Sequence, residues 1–195
     1  DLLEKGEYEE AINYFDKALE KSPKSERTYN NKGLALYEMG KIEEALECLD
    51  KSINLNPQFS VAYKSKGNVL FAVSKFEEAL ECYNKAIELD SKYAQCYSDR
   101  GVLYYRMHKP QLALEDVDKA MELGLKAGNE YNTRGLILEK MNNYQEALEM
   151  FDRAIELEPD KSTVYSNKAL TLWNVGDRTG AINCVDKSIE LETSL

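Results

Sequence analysis

Small, apolar and aromatic residues return along this chain at i, i+4 and i+7, the spacing of one buried helix face. Over residues 62–73 the stripe is Tyr63, Gly67 and Leu70, and a second stripe follows at Ala79, Leu80, Tyr83, Ala86 and Ile87. The spacing predicts two helices joined by a tight turn, and the pair recurs. Gly33, Gly67, Gly101 and Gly135 are 34 residues apart, and Ala169 takes the next slot. Four residues before each stands Tyr29, Tyr63, Tyr97, Tyr131 or Tyr165, and twelve after each stands Ala45, Ala79, Ala113, Ala147 or Ala181. Ala11 falls one period earlier, and Pro23, Pro57 and Pro159 close three of the units. Nothing interrupts the register. The expected organisation over residues 1–195 is one array: a partial repeat 1–25 and full repeats 26–59, 60–93, 94–127, 128–161 and 162–195.

The turn between paired helices falls at Gly6, Gly40, Ser74, His108, Asn142 and Gly176. Glycine and asparagine suit the left-handed residue that ends a helix, so four of the six carry the expected chemistry. Glu43–Glu44 and Glu77–Glu78 open second helices, where carboxylates favour the dipole. Glu47–Lys51, Glu81–Lys85, Glu115–Lys119 and Glu149–Arg153 are spaced for i,i+4 pairs on the same helices. The repeat 94–127 is the odd member. It lacks the closing proline, its turn runs His108-Lys109-Pro110, and Gly124 and Gly128 flank its exit, so its junction after Leu123 is expected to be the most irregular.

Composition narrows the function classes. The 195 residues carry 35 acidic and 25 basic side chains, a net charge of −10, which disfavours nucleic acid and anionic membranes as partners. No run of about 18 apolar residues could span a bilayer. Cys48, Cys82, Cys96 and Cys184 form no Cys-x-x-Cys pair, so reduced thiols in a cytoplasmic setting are expected rather than a disulfide frame or a zinc site. The single histidine, His108, falls in a turn with no catalytic companion, and no phosphate loop, metal spacing or nucleophile triad is present. We expect no cofactor, no metal and no enzyme activity.

A 34-residue unit with these slots resembles the tetratricopeptide repeat (TPR), whose signature is W-x2-L-G-x2-Y, then A-x3-F, then P. Here Tyr fills the Trp slot, and the last aromatic slot holds Phe15, Leu49, Tyr83, Val117, Phe151 and Val185. The family's Leu before the glycine is replaced each time by a cation: Lys32, Lys66, Arg100, Arg134 and Lys168. The resemblance implies an all-α, right-handed solenoid of antiparallel helix pairs, a TPR superhelix, with first helices lining a concave groove. Such arrays need capped ends. The chain begins at repeat position 10 and stops at position 34. We therefore expect an excerpt of a longer chain, or self-association through uncapped ends.

The same resemblance assigns repeat positions 2, 5, 6, 9, 12 and 13 to the groove. In repeat 26–59 these include Arg27, Asn30, Asn31 and Tyr37; in 60–93, Lys64, Ser65, Asn68 and Phe71. Gln95, Asp99, Tyr105 and Arg106 follow, then Asn129, Asn132, Thr133 and Lys140, and finally Asn167 and Trp173. Position 6 is short and polar throughout, and position 12 is aromatic in four of five repeats, with Glu139 the exception. Short polar groups can hold a peptide backbone while rings take its side chains. The opposing reading makes position 6 solvated surface and position 12 inter-helix packing. The arc carries four cations (Arg27, Lys64, Arg106, Lys140) against three anions (Glu38, Asp99, Glu139), so the acidity belongs to the outer helices. Some family members clamp the acidic tails of chaperones. Lys64 and Asn68 match the first pair of that clamp, but Asp99, Asn129 and Thr133 break it.

The expected function is a non-catalytic protein–protein interaction scaffold that holds an extended partner segment. Two alternatives stand beside it: the substrate-docking region of a larger peptide-modifying enzyme, and a structural spacer in an oligomeric assembly. The recurrent cations fall on the buried side of the first helix. They are expected to lie along apolar surface and reach carboxylates at position 25, namely Asp50, Asp118, Asp152 and Asp186.

Overall fold

The computed structural model describes residues 7–193, so the turn expected at Gly6 lies outside the described residues. Among the described residues there are eleven α-helices and no strand. They are α1 (Tyr8–Lys21), α2 (Glu26–Glu38), α3 (Ile42–Leu55), α4 (Ser60–Ala72), α5 (Phe76–Leu89) and α6 (Ala94–Arg106), then α7 (Pro110–Glu122), α8 (Gly128–Lys140), α9 (Tyr144–Leu157), α10 (Ser162–Asn174) and α11 (Arg178–Thr193). The first helices α2, α4, α6, α8 and α10 start 34 residues apart. The chain forms two compact units, Asp1–Cys96 and Tyr97–Leu195. In the first, α2 packs on α3 and α4 on α5; in the second, α8 packs on α9 and α10 on α11.

Each hairpin closes on a left-handed residue. Gly40, Ser74, His108, Asn142 and Gly176 have φ of 75°, 61°, 58°, 62° and 88°. The next residue's amide reaches back to the helix, as in Lys41 N–H to the Leu36 carbonyl at 2.9 Å and Lys109 N–H to that of Tyr104 at 2.9 Å. Ser74 and His108 take a conformation in which L-residues lose about 1–2 kcal/mol, so tertiary packing overrides local preference there.

The exits of the second helices differ more. α3 and α5 leave through extended residues, Asn56 and Asp90. α7 is one residue shorter, and its chain turns through Gly124 at φ +101° before Leu125. The frame still holds, because α8 begins on register at Gly128. That glycine is demanded by contact: a Cβ there would meet the Glu158 carboxylate at 2.6 Å. Glu158 accepts from the amides of Gly128 and Asn129 at the start of α8, and its carboxyl is held below its ordinary value first by Lys161, with those amides adding to the effect.

The cores explain the recurrent small residue. A Cβ on Gly67 would stand 2.6 Å from the Tyr83 ring, one on Gly135 2.6 Å from the Phe151 ring, and one on Gly101 2.8 Å from a Val117 methyl. Glycine lets paired helices approach until the position-24 side chain lies against backbone. Tyr83, Phe151, Leu49 and Val117 are all fully buried. The Tyr83 hydroxyl keeps a partner by donating to Asn68 Oδ1 at 2.8 Å.

The recurrent cations are all paired. Lys32 bonds Asp16, Lys66 bonds Asp50 at 2.6 Å, Arg134 bonds Asp118 at 2.6 Å, and Lys168 bonds Asp152. In these four the acid stands sixteen residues earlier, at position 25 of the preceding repeat. Arg100 instead makes a two-pronged contact with Asp116, Nε to Oδ2 and Nη2 to Oδ1, both at 2.7 Å, inside its own repeat. Asp186 takes none of the five. The i,i+4 expectation on the second helices is corrected: Lys85 pairs with Glu88, Lys119 with Glu122, and Arg153 with Glu156, all at i,i+3. Both acids are within reach of an exposed helical cation. The choice is worth only a few tenths of a kcal/mol.

Candidate functional site

The first helices of each unit carry the proposed binding arc, and burial divides its residues. Arg27, Asn31, Gln95, Arg106, Asn129, Lys140 and Trp173 are exposed. Tyr37, Lys64, Asn68, Phe71, Asp99, Tyr105, Asn132, Thr133 and Asn167 are half-buried. Asn30 and Ser65 are buried, at 3% and 4% exposure. Positions 5 and 6 therefore sit at the edge of the arc, where a neighbouring helix can cover them. Asn30 donates to Asn31 Oδ1 at 3.2 Å, while its own Oδ1 has no partner.

In the second unit the arc is a hydrogen-bonded row. Asn167 donates to Asn132 Oδ1 at 2.9 Å, and Asn174 donates to Glu139 Oε1 at 3.1 Å. Each bond joins position-5 or position-12 residues of one repeat to position-6 or position-13 residues of the next. Asn129 is held aside, accepting from Lys161 at 2.5 Å where the repeat closes. Asn68 is engaged from beneath by Tyr83.

Position 12 turns out to be largely packing. Tyr37 lies against the Leu36, Ala45 and Cys48 cluster, Tyr105 against Ala113, Val117 and Ile137, and Phe71 stacks obliquely on Phe76 at 5.8 Å. Burial raises the Tyr105 hydroxyl above its ordinary value, and the Glu139 carboxylate adds to the shift. Trp173 differs: it is 57% exposed, with the Arg178 guanidinium 5.7 Å from its ring.

One polar contact was not anticipated. Glu130 is buried at position 3, a slot otherwise filled by Thr28, Ala62, Cys96 and Val164, and Ser98 donates to it at 3.2 Å. Its signal in the sequence is the lone carboxylate in a column of small uncharged residues. Among the described residues no group of three or more His, Cys, Asp and Glu could hold a metal, and no helix is long and apolar enough to cross a membrane. The four cysteines are free. Burial pushes the Cys82 thiol up to about 11, against the opposing pull of Lys66, and raises Cys48 and Cys184 as well.

Sequence models for the TPR repeat match residues 67–107, 129–161 and 162–194, together more than half of the chain. The chain belongs to the tetratricopeptide-repeat family. A model of anaphase-promoting complex, cyclosome, subunit 3 also matches residues 4–86. Among solved structures, the TPR protein YrrB, described as having an unusual peptide-binding site, is 25% identical. It aligns over 92% of both chains with a TM-score of 0.72. MamA from Desulfovibrio magneticus RS-1 shares 18% identity, covering 87% of this chain and 96% of its own, with a TM-score of 0.78. The anaphase-promoting-complex assembly Cut9–Hcn1 shares 20% identity over 98% of this chain and 38% of its own, with a TM-score of 0.85. No curated protein sequence matches the chain significantly. The TPR repeats and the YrrB neighbour support a protein-interaction scaffold.

Proposed function

We propose that this TPR chain is a non-catalytic scaffold whose first-helix faces hold an extended segment of a partner protein. The observation that carries the reading is the Asn132–Asn167 row on α8 and α10. Their mutual bond uses one donor and one acceptor, so the pair retains hydrogens on Asn132 and carbonyl capacity on Asn167 for an incoming peptide backbone. The exposed cations Arg106 and Lys140 of the same unit favour a neutral or mildly acidic segment over a basic one. The peptide-binding description of YrrB supports the same class of ligand. Free, mostly unreactive thiols support a reducing, cytoplasmic setting.

The test is selection of binding peptides from a displayed random library, followed by anisotropy titration of the best one. Asn132→Leu with Asn167→Leu should weaken binding by about tenfold or more, the loss expected from one or two unmade hydrogen bonds, while the Tm stays unchanged. Undiminished binding by the double variant, or failure to select any peptide, overturns the reading.

A further inference from the structure

The second compact unit holds a pocket of about 420 Å³ at the seam where α7 gives way to α8, with α9 alongside. The irregular junction shapes it. α7 stops at Glu122, the chain turns through the left-handed Gly124, and exposed Lys126 is carried to the pocket's edge. The apolar wall is made by Met121, Met150 and Tyr131. In two other seams the slots of these methionines hold Ile53 with Cys82 and Ile155 with Cys184. Unbranched thioether side chains adapt to the shape of what they touch, so this wall can fit a guest that a β-branched one would resist.

The polar wall carries two acids, Asp118 and Glu122, and two cations, Lys126 and Arg134. The acids are already engaged. Asp118 Oδ1 accepts from Arg134 Nε at 2.6 Å, and Glu122 Oε2 accepts from Lys119 at 3.0 Å. The cations keep capacity. Arg134 spends Nε alone, and among the described residues its two Nη groups and the Lys126 ammonium make no hydrogen bond or ion pair. Arg100 is the contrast, since it spends Nε and Nη2 together on Asp116. Coplanar guanidinium donors match the two oxygens of a carboxylate, and the ammonium beside them adds a second positive charge. The two acids disfavour a dianion such as phosphate, so a single carboxylate is the better match. The volume lies toward the small end of ligand pockets, which suits one residue rather than a continuous segment.

We propose that this pocket binds an α-carboxylate carrying an apolar side chain, with the carboxylate on Arg134 and Lys126 and the side chain against Met121 and Met150. A peptide C-terminus and a free apolar amino acid share that chemistry. The site uses positions 4 and 7 of α8, away from the arc, and does not depend on peptide capture by the Asn132–Asn167 row.

Methionine methyl groups report occupancy directly. Of the five methionines, Met121 and Met150 line the pocket, while Met39, Met107 and Met141 do not and serve as controls. In ¹³C-methyl spectra of the full chain, N-acetyl-alanyl-leucine should shift the two pocket resonances saturably, with a Kd of about 1 mM or below, and leave the controls in place. The same dipeptide with a terminal amide should bind about tenfold more weakly or worse. Arg134→Lys removes the guanidinium fork but keeps a partner for Asp118, as Lys66 on Asp50 and Lys168 on Asp152 show. It should weaken binding by about tenfold with little change in Tm. Lys126→Gln should weaken it by about threefold. Free leucine separates the two sources, because its ammonium can reach an acid of the pocket. Tighter binding of leucine than of the acetylated dipeptide, with the advantage lost in Glu122→Gln, supports the site and assigns it to a free amino acid. The reverse order supports it and assigns it to a chain end. No shift of Met121 and Met150 up to about 10 mM ligand, equal binding of acid and amide, or undiminished binding by Arg134→Lys overturns the proposal.

Discussion

Repeats 60–93 and 94–127 share a register, a glycine at position 8 and a half-buried cation at position 7, yet they satisfy that cation in different ways. Lys66 lies at the seam with the preceding repeat and reaches Asp50, whose side chain is half exposed. Arg100 reaches Asp116 within its own hairpin, with only 17% and 9% of the two side chains exposed, and its guanidinium also lies 5.5 and 5.7 Å from the rings of Tyr97 and Tyr104. The substitutions come as a set. Position 25 before Arg100 is Asn84 rather than aspartate, and position 23, elsewhere Tyr14, Cys48, Cys82, Met150 or Cys184, is Asp116. A half-buried cation therefore fixes the need for an acid. Two neighbouring slots can supply it, and changing the slot also changes the energetics.

The largest effect that should separate the two repeats is removal of the acid. Asp116→Asn leaves the mostly covered Arg100 without its counter-charge and should cost about 2–4 kcal/mol, somewhat below a fully buried pair. Asp50→Asn leaves Lys66 free to swing toward water and should cost about 1 kcal/mol or less. Urea unfolding followed by circular dichroism measures both, and equal losses would break the comparison.

Next in size is the packing at position 8. Gly67→Ala forces a Cβ against the Tyr83 ring, which its bond to Asn68 holds in place, and should cost about 1–3 kcal/mol. In a Tyr83→Val background, which copies the Gly101–Val117 pair, the same alanine should cost less. A double-mutant cycle on unfolding free energy reads the difference. An additive cycle would mean that the ring and the glycine are not matched.

The smallest effect is one of pH. Burial pulls the Lys66 ammonium down, but the hydrogen bond and charge of Asp50 outweigh it, leaving the pKa above the ordinary 10.5. A raised lysine contributes its full stabilisation below 10.5 and loses it as the pH climbs through the higher folded value. Arginine keeps its charge over that range. The Lys66–Asp50 coupling, under about 1 kcal/mol, should therefore vanish on strongly alkaline titration, while the Arg100–Asp116 coupling persists. Cycles measured at neutral and alkaline pH distinguish them.

Much of this was legible because the 34-residue register is unbroken. The helix pairs follow from Tyr, Gly and Ala at fixed offsets. Asp50, Asp118 and Asp152 follow from asking which acid could meet a buried cation. Asp116 escaped that reasoning because position 23 otherwise holds only uncharged side chains, Tyr14 and the sulfur-bearing Cys48, Cys82, Met150 and Cys184, and the pair closes within one repeat. Asp186 was a fourth candidate, and among the described residues none of the five cations reaches it. The arc was harder. Periodicity at 100° per residue assigns a direction to Asn30 and Ser65, but their burial depends on how close the neighbouring helix comes. The same period treats Trp173 and Tyr105 alike, yet one is exposed and the other packed, because only a tertiary neighbour distinguishes them.

The internal pairing of Arg100 bears on how the chain can be divided. A fragment beginning at residue 60 or 128 would strand Lys66 or Arg134, because the acid each uses belongs to the preceding repeat. A fragment beginning at residue 94 carries its acid with it, and that point lies within three residues of the boundary between the two compact units. Repeat 94–127 thus has the chemistry of a leading module, a unit that can be transplanted or placed first in a shorter array without a predecessor to balance its charge.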